Sequence, residues 1–443
     1  MKIVVIGLGD LGRHLLSALD EEGHELVAID RDPANTAAAE DEFDVRAISG
    51  YGAGLWTLEA AGAEEADLVI AVSDDDEVNL IAALAAKEFG AKRAIARVQG
   101  REWAQWTEDI RQDFLGVDLV INPPALVARE LARIARAHGA TQSIVFARGE
   151  LELVQLKLDG LTRETPLSEL PLLPSIQTVG ILRGDRIQSA GAHSTLLEGD
   201  RLYLFGARRD IERSEAKLGL EHPAKRVILL GGDLIGVKLA RLLRRKSVEV
   251  LIVEKDRTRA EELAAELIGV DVLHGDATSS ALYESEDLDR FDLFISTSRS
   301  DEVNLVACLL AKRAGVPRAA SMVQRAEYAP IYRELGVDIV VAQTLIAADE
   351  ILRSTRGSET VRIESLDDEQ SEIIEYQVRL GAPIVGMSLS EVRFPKGVLA
   401  LALLRGAAYH LASEAPRIRP GDRLLIFSPH GAKDALSRLF RAG

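Results

Sequence analysis

The feature that most constrains this fold is an internal repeat that spans both halves of the chain. The word GLGDLG at 7–12 returns as GGDLIG at 231–236, 224 positions later. Asp-Glu-Val-Asn occurs at 76–79 and again 225 positions later, and Gly-Asp-Arg-Leu recurs from 199–202 at 421–424. Chance similarity between alanine-rich helices would not keep dispersed words at nearly one spacing. We therefore interpret the chain as a tandem duplication.

Each half contains two different patterns. In the first, short apolar runs alternate with stretches of helical length, and these runs are predicted strands at 3–6, 26–30, 45–48, 68–72 and 94–98. Such alternation predicts βαβ crossovers and a doubly wound parallel sheet. In the second, from about residue 153, period-two segments are separated by Gly and Pro turns, which is typical of a small mixed sheet.

The resulting fold prediction is α/β, with two Rossmann-like N-lobes that are each followed by a small α+β C-lobe. The boundaries are predicted at 1–140 for the first N-lobe, 149–207 for the first C-lobe, 224–356 for the second N-lobe and 370–430 for the second C-lobe. A bridging helix is predicted at Pro123–His138, because its apolar residues recur at helical spacing. This apolar face needs a partner, so we expect a homo-oligomer, with a tetramer as the preferred state.

Composition excludes several classes of partner. The chain has 53 Lys and Arg against 70 Asp and Glu, a net charge of −17, which argues against nucleic acid. No stretch reaches the about 18 uncharged apolar residues that cross a bilayer, so we expect no direct membrane insertion. The single cysteine, Cys308, and the lack of metal-ligand spacing indicate a reducing cytoplasm and no metal site.

The first glycine loop predicts a dinucleotide site. Gly7 permits a tight turn, Gly9 lets the backbone approach a pyrophosphate, and Gly12 allows close packing of helix on strand. Leu8, Asp10 and Leu11 complete the loop, whose helix N-terminus offers free amides to phosphates. The alternative is a turn that only packs the helix on the strand.

Asp30 strengthens the prediction of a nucleotide site. It ends the second strand, 18 residues after Gly12, where a carboxylate can accept hydrogen bonds from both ribose hydroxyls of the adenosine half. Because a carboxylate there repels a 2′-phosphate, NAD(H) is the expected ligand. Arg31 beside it leaves NADP as the alternative.

Three further residues follow neighbouring strands at the same edge of the sheet. Ser73 and Asp74 could contact the adenosine or a phosphate, or could cap the next helix. Arg97 could bind a phosphate or be a solvated arginine.

The second glycine loop departs from the first. Asp233 stands in the place of Gly9 and brings a carboxylate to the point of closest phosphate approach. Glu254 still corresponds to Asp30, so an uncharged or singly phosphorylated adenosine remains an alternative ligand. We predict that the second N-lobe is structural.

With these residues placed, the chain resembles the TrkA family, the cytosolic regulatory subunits of Trk-type bacterial potassium uptake systems, built from tandem RCK (KTN) domains. The resemblance rests on the Gly7 loop, Asp30, the Gly-Asp-Ala-Thr word at 275–278 and the paired Asp-Glu-Val-Asn words. In the first half Tyr51 replaces the Asp of that Gly-Asp-Ala-Thr word, where it could stack beside an adenine or pack within the loop.

The resemblance implies a function as well as a fold. Such subunits form gating rings of four chains beneath a separate membrane potassium channel or transporter. Their N-lobes bind NAD(H), with ATP or ADP as alternative ligands. It therefore implies a cytoplasmic protein held at the inner face of the cell membrane by its channel partner.

An NAD-dependent oxidoreductase is the alternative function, since the same glycine fingerprint serves hydride transfer. It is disfavoured because both segments after the N-lobes are copies of one small module, which leaves no separate substrate domain. No histidine belongs to a repeated constellation. We therefore predict that the chain is not an enzyme and has no catalytic residues.

Overall fold

A computed structural model describes the chain except for residues 105–109, 137–139, 148–149, 158–163, 185, 192–193, 219–223, 286–287, 356–359, 367–370, 407, 430–431 and 441–443. The chain forms two compact units. One comprises Met1–Ala135 and Ala224–Thr355, and the other comprises Arg136–Pro223 and Arg356–Gly443. Each unit is therefore assembled from both halves of the repeat.

The first N-lobe is built on a seven-stranded sheet in the order β3-β2-β1-β4-β5-β7-β6. Its strands are β1 Lys2–Ile6, β2 Glu25–Asp30, β3 Val45–Ser49, β4 Leu68–Ala71, β5 Ala94–Arg97, β6 Ile110–Phe114 and β7 Val117–Ile121. All neighbouring strands pair in parallel except β6, which is antiparallel to β7. The order reverses between β2 and β4 around β1, the position at which open α/β sheets bind ligands.

Helices connect or follow these strands in the part of the lobe that the structure describes. They are α1 Asp10–Glu21, α2 Pro33–Glu42, α3 Leu55–Ala60, α4 Asp76–Phe89, α5 Arg101–Ala104 and α6 Pro123–Arg136. Local sequence explains their ends. Asp32 caps α2 by accepting from Ala34 N, and Pro33 occupies its first turn. Gly90 ends α4 in the left-handed conformation.

The first C-lobe is a five-stranded antiparallel sheet in the order β12-β11-β14-β9-β8, beside a β10-β13 pair. The elements are β8 Ala140–Phe146, β9 Leu151–Lys157, β10 Thr165–Pro166, β11 Gln177–Arg183, β12 Arg186–Ser189, β13 Thr195–Leu196, β14 Arg201–Ala207 and α7 Arg208–Lys217.

The second N-lobe repeats the architecture with six parallel strands in the order β17-β16-β15-β18-β19-β20. Its strands are β15 Arg226–Leu230, β16 Glu249–Glu254, β17 Asp271–His274, β18 Leu293–Ser296, β19 Arg318–Val323 and β20 Ile339–Ala342. Its helices are α8 Leu234–Arg244, α9 Arg257–Glu266, α10 Ser280–Ser285, α11 Asp301–Arg313, α12 Ala329–Glu334 and α13 Gln343–Thr355.

The second C-lobe is a five-stranded antiparallel sheet in the order β21-β22-β25-β23-β24. Its elements are β21 Thr360–Ser365, β22 Glu372–Gln377, β23 Leu399–Arg405, β24 Ala408–Leu411, β25 Arg423–Ser428 and α14 Lys433–Phe440. The two C-lobes share an apolar cluster, in which Phe205 of the first and Phe427 of the second are fully buried.

The two N-lobes exchange their last helices. The apolar face of α6 packs into the core of the second N-lobe, where Leu131 and Ile134 lie in one cluster with Leu239. In return, α13 packs on the first N-lobe and places Ile351 against α1 beside Leu15. The apolar face of α6 is thus covered within the chain. This corrects our sequence argument that it requires a second copy.

The α/β prediction is confirmed. Each of the five strands predicted in the first N-lobe agrees with the structure to within one residue at either end. The predicted helix at Pro123–His138 is found as α6, and its last two predicted residues lie outside the described part of the chain. The four domain boundaries stay a prediction. Within the described part of the chain, no helix has the length and apolarity to span a membrane.

Candidate functional site

A cavity of about 810 Å³ opens at the carboxyl ends of the central strands of the first N-lobe. Ten of the residues predicted from the sequence line it: Gly7, Gly9, Asp10, Leu11, Asp30, Arg31, Tyr51, Ser73, Asp74 and Arg97. Three do not. Leu8 and Gly12 are buried behind the loop, and Glu254 occupies the corresponding position in the second N-lobe.

The three glycines of the first loop serve different needs. Gly7 has φ +94°, and a Cβ on it would lie 2.5 Å from Ser73 N. A Cβ on Gly12 would lie 1.9 Å from the Gly7 oxygen. At Gly9, by contrast, no atom lies within 4 Å of an added Cβ. The fold therefore requires Gly7 and Gly12, whereas the space at Gly9 suits an approaching phosphate.

Asp30 is fixed by the backbone at the end of β2. Its Oδ2 accepts a hydrogen bond from Leu8 N at 2.7 Å, and its Oδ1 accepts from Asp32 N at 2.8 Å and Asn35 Nδ2 at 3.3 Å. These bonds connect the carboxylate to the glycine loop and to the start of α2. A carboxylate has about four acceptor positions, so it can still accept from ribose hydroxyls.

The Asp-Glu-Val-Asn word forms a clamp behind the cavity. Asn79 Oδ1 accepts from Ser73 N at 2.8 Å and Ser73 Oγ at 2.7 Å, and its amide donates to the carbonyls of Ser73 and Arg97. Asp76 accepts from the backbone of Gln99 and Gly100, and burial raises the pKa of this carboxyl. The clamp thus holds the ends of β4 and β5 together.

The structure excludes one reading each for Ser73 and Asp74 and for Arg97, and their contact with a ligand stays a prediction. The cap of α4 is Asp75, whose Oδ1 accepts from Val78 N, so neither Ser73 nor Asp74 caps that helix. The Arg97 side chain is only 10% exposed, so it is not a solvated arginine. Its Nη2 donates to the Ser73 carbonyl at 2.7 Å and to Asp74 Oδ1 at 2.8 Å. Arg97 therefore lies as a buried cation in the cavity wall.

The corresponding loop of the second N-lobe has the same backbone hydrogen bonds but different side chains around it. Glu254 accepts from Gly232 N at 2.8 Å and Asp256 N at 2.9 Å, as Asp30 does in the first N-lobe. Asp233 Oδ2 lies 3.3 Å from Arg299 Nε, and Arg259 Nε donates to the Gly232 carbonyl at 2.9 Å. In the second N-lobe an ion pair between Asp233 and the exposed Arg299 therefore lies at the loop position that corresponds to Gly9, and the sequence reasoning missed Arg299.

Tyr51 lies at the cavity edge with 57% of its surface exposed. In the second N-lobe the corresponding residue is Asp276, and Lys255, which corresponds to Arg31, lies 2.8 Å from its Oδ2. A hydrogen bond from Lys255 lowers the pKa of Asp276 to about 2. Because Tyr51 carries no carboxylate, this ion pair cannot form at the first site, where Tyr51 presents an aromatic ring instead.

The sequence reasoning missed one whole wall of the cavity. Gln324, Gln343, Thr344 and Ala347 of the second N-lobe line it together with Gln99 of the first. The repeat contained a signal for this wall, since Gln324 follows Gln99 by 225 positions. Recognising it required knowledge of how the two N-lobes pack.

Comparison with known proteins agrees with this architecture. The TrkA-N domain family matches residues 3–123 and 227–343, and the TrkA-C domain family matches residues 373–441. A Trk system potassium uptake protein TrkA homolog of Archaeoglobus fulgidus is 31% identical over 444 residues, covering 100% of both chains. The Trk system potassium uptake protein TrkA of Halomonas elongata is 30% identical, covering 100% of this chain and 99% of its own.

A solved structure described as the GsuK channel bound to NAD aligns with a TM-score of 0.62 at 17% identity, covering 99% of this chain and 78% of that one. At this identity the likeness concerns the fold alone. The family matches cover both N-lobes and the second C-lobe, and the relatives match from end to end. The chain therefore belongs to the TrkA family.

Proposed function

We propose that this chain is a nucleotide-binding regulatory subunit of a Trk-type potassium uptake system. The observation that carries the proposal is the empty space at Gly9 beside a fixed Asp30 carboxylate. The fold has room for a side chain at residue 9, which also caps α1, so the glycine leaves space that a ligand can use. The names of the full-length relatives supply the potassium uptake system.

The ligand we propose is NAD(H), with ATP or ADP as competitors at the same site. The N-terminus of α1 offers amides to the phosphates, and Asp30 offers a carboxylate to the adenosine ribose. The same carboxylate disfavours a 2′-phosphate, so NADPH should bind more weakly than NADH. Arg31 lines the cavity next to Asp30 and is the residue that would reduce this difference.

Regulation is proposed to occur by binding and not by turnover. A nucleotide shifts the conformation of a ring only if it binds two conformations with different affinity. Apart from aspartates and Tyr51, the described residues that line the cavity include no general acid, and Tyr51 follows β3 on the Asp30 side of the sheet, away from β5 and β7. NADH absorbance should therefore persist when small carbonyl compounds are added, and sustained NADH oxidation that Gly9→Asp abolishes would favour the oxidoreductase.

The proposed partner is a separate membrane potassium channel or transporter, which would hold this chain at the cytoplasmic face. We further propose that four chains form the ring. Because the apolar face of α6 is covered within the chain, this stoichiometry rests on the family alone. Light scattering that shows a monomer at micromolar concentration would contradict it.

The decisive experiment measures potassium flux through the membrane subunit in liposomes, with and without this chain, in NADH, NAD, ATP or ADP. We expect flux that depends on both the chain and the nucleotide, and loss of the nucleotide response in Gly9→Asp. Calorimetry of the purified chain supplies affinity and stoichiometry. Potassium flux that is the same with and without nucleotide, or potassium transport by this chain alone, would overturn the proposal.

A further inference from the structure

The first-lobe cavity is completed by the second N-lobe. Gln324 follows β19, and Gln343 and Thr344 begin α13, yet all three line the cavity that contains the first glycine loop. Within the same cavity lie Gln99 and Pro123, which correspond to Gln324 and Gln343 in the repeat. Equivalent segments of the two N-lobes therefore contribute to one cavity.

The backbone of Gln324 is held on both sides. Its N–H donates to Asp301 Oδ1 at 2.9 Å, and its carbonyl accepts from Thr344 Oγ1 at 3.2 Å. Asp301 Oδ2 also accepts from Arg325 N at 3.3 Å, and Tyr332 donates its hydroxyl to the Asp301 carbonyl. Asp301 is buried at the start of α11. The second Asp-Glu-Val-Asn word is thus the clamp that fixes this wall.

The location of the wall indicates which part of a dinucleotide it can reach. Asp30 and Arg31, at the end of β2, mark the adenosine side, whereas Gln99 and Pro123 follow β5 and β7 on the opposite side of β1. In a doubly wound sheet the second nucleotide lies over that opposite side. The helix that carries Gln343 and Thr344 also packs on α1, the helix that follows the first glycine loop.

The chemistry of the wall suits this half of the ligand. Gln324 and Gln343 carry neutral amides that both donate and accept, and Thr344 carries a hydroxyl. These groups match ribose hydroxyls and a carboxamide. The second N-lobe keeps the clamp although its own phosphate position holds the Asp233–Arg299 ion pair. The clamp of the second N-lobe therefore serves the cavity of the first N-lobe, which Gln324 lines.

We propose that Gln324, whose backbone is positioned by Asp301, binds together with Gln343 and Thr344 the nicotinamide nucleoside of a dinucleotide held in the first N-lobe. This proposal rests on the proposed nucleotide-binding function and adds the residues that distinguish NAD(H) from ADP. ADP shares only the adenosine and phosphate portion, so it lacks the nicotinamide nucleoside. Asp301 is a positioning residue, because it contacts the backbone of Gln324 and does not line the cavity.

The test compares NADH and ADP affinities by calorimetry on the full chain. Gln324→Ala and Gln343→Ala should each weaken NADH by about three- to tenfold, the range of one lost hydrogen bond, while ADP changes by less than about twofold. Glu327→Ala, in the same loop but outside the cavity lining, is the matched control and should change neither affinity.

Asp301→Ala should reproduce the selective loss of NADH affinity, and Asp301→Asn should recover part of it because it keeps one acceptor oxygen. Thermal unfolding of each variant reports whether the fold persists. If Asp301→Ala does not fold, Gln324→Ala still tests the inference, because it retains the backbone hydrogen bonds to Asp301 and Thr344. Equal loss of NADH and ADP affinity would overturn the assignment to the nicotinamide half. Unchanged NADH affinity in Gln324→Ala and Gln343→Ala, with loss in Gly9→Asp, would overturn this inference while the proposed function stands.

Discussion

Asp233 and Arg299 form an ion pair in the second N-lobe, with Oδ2 and Nε 3.3 Å apart, at positions that Gly9 and Asp74 occupy in the first. The second N-lobe thus has a carboxylate where the first has an uncharged glycine, and a cation where the first has the Asp74 carboxylate. In the first N-lobe the glycine leaves space and Asp74 pairs with Arg97 from β5. In the second, the cation pairs with a carboxylate at the loop itself. The two loops have the same backbone, but only the first leaves open space at this position, whereas the second places a carboxylate there.

Asp233→Gly should create a second NADH site in each chain. The substitution removes the carboxylate that opposes a phosphate and leaves the Arg299 guanidinium to bind it. Calorimetry should change from one NADH per chain to two, the new site being weaker than the first. The double variant Asp233→Gly/Arg299→Ala should lose most of the new binding, about tenfold or more in affinity.

The control for this experiment is Gly9→Asp in the otherwise unchanged chain. It should abolish binding at the first site and leave the fold intact, since an added Cβ at Gly9 contacts nothing within 4 Å. If stoichiometry stays at one in Asp233→Gly and NADH still binds to Gly9→Asp, the glycine loops are structural turns and the site assignment is wrong.

Gly9→Ala and Gly12→Ala should separate binding from stability. A Cβ at Gly12 would lie 1.9 Å from the Gly7 oxygen, so the backbone must move and stability should fall by about 2 kcal/mol or more. Gly9→Ala should change stability by less than about 1 kcal/mol, yet weaken NADH. Denaturant unfolding and calorimetry measure the two quantities. Equal destabilisation by both would show that Gly9 is also a packing residue.

The contrast between these glycines also shows how far sequence reasoning reaches. Strands of the first N-lobe and the Asp30 position follow from local patterns, because each depends on a few neighbouring residues. The exchange of α6 and α13 does not, since either helix could cover the lobe before it or the lobe across from it. The Gln324 wall depends on that exchange. In the sequence, only the spacing of 225 positions between Gln99 and Gln324 indicated this wall.

Asp30→Ala should weaken NADH more than ATP if, as proposed, the carboxylate accepts hydrogen bonds from the ribose in the dinucleotide pose. It also leaves Leu8 N and Asp32 N without their acceptor. Glu254→Ala removes the equivalent bonds to Gly232 N and Asp256 N in the second N-lobe, and is therefore the matched control. Titrations should show at least about a tenfold loss for Asp30→Ala only. NADPH bound as tightly as NADH by the parent would show that Arg31 dominates.

Cys308 should be unreactive in the folded chain. Its thiol is fully buried, and burial raises its pKa to about 12. At about pH 8 its thiolate fraction should be on the order of a thousandfold below that of an exposed cysteine. A chromogenic disulfide reagent should label it only in guanidinium chloride. Rapid labelling of the native chain would contradict the buried position.

The same group makes stability depend on alkaline pH. The unfolded thiol loses its proton near pH 8.5, whereas the folded thiol keeps it up to about 12. The unfolded state therefore binds fewer protons in this window, and stability falls as pH rises through it. Cys308→Ala should flatten that fall in denaturant titrations at successive pH values. An unchanged slope would assign the alkaline loss to other groups.

Ile351→Ala should loosen the first N-lobe although the residue belongs to the second half of the chain. Ile351 is fully buried in the cluster that contains Leu15 and Leu16 of α1. Truncation of a buried isoleucine to alanine costs about 2–5 kcal/mol. Hydrogen exchange should therefore show faster exchange in α1 and the first glycine loop, with weaker NADH binding. Ile268→Ala is the control, because Ile268 is 94% exposed in the second N-lobe and should change neither quantity. Loss of hydrogen-exchange protection only in the second N-lobe would contradict the exchange of α6 and α13 between the lobes.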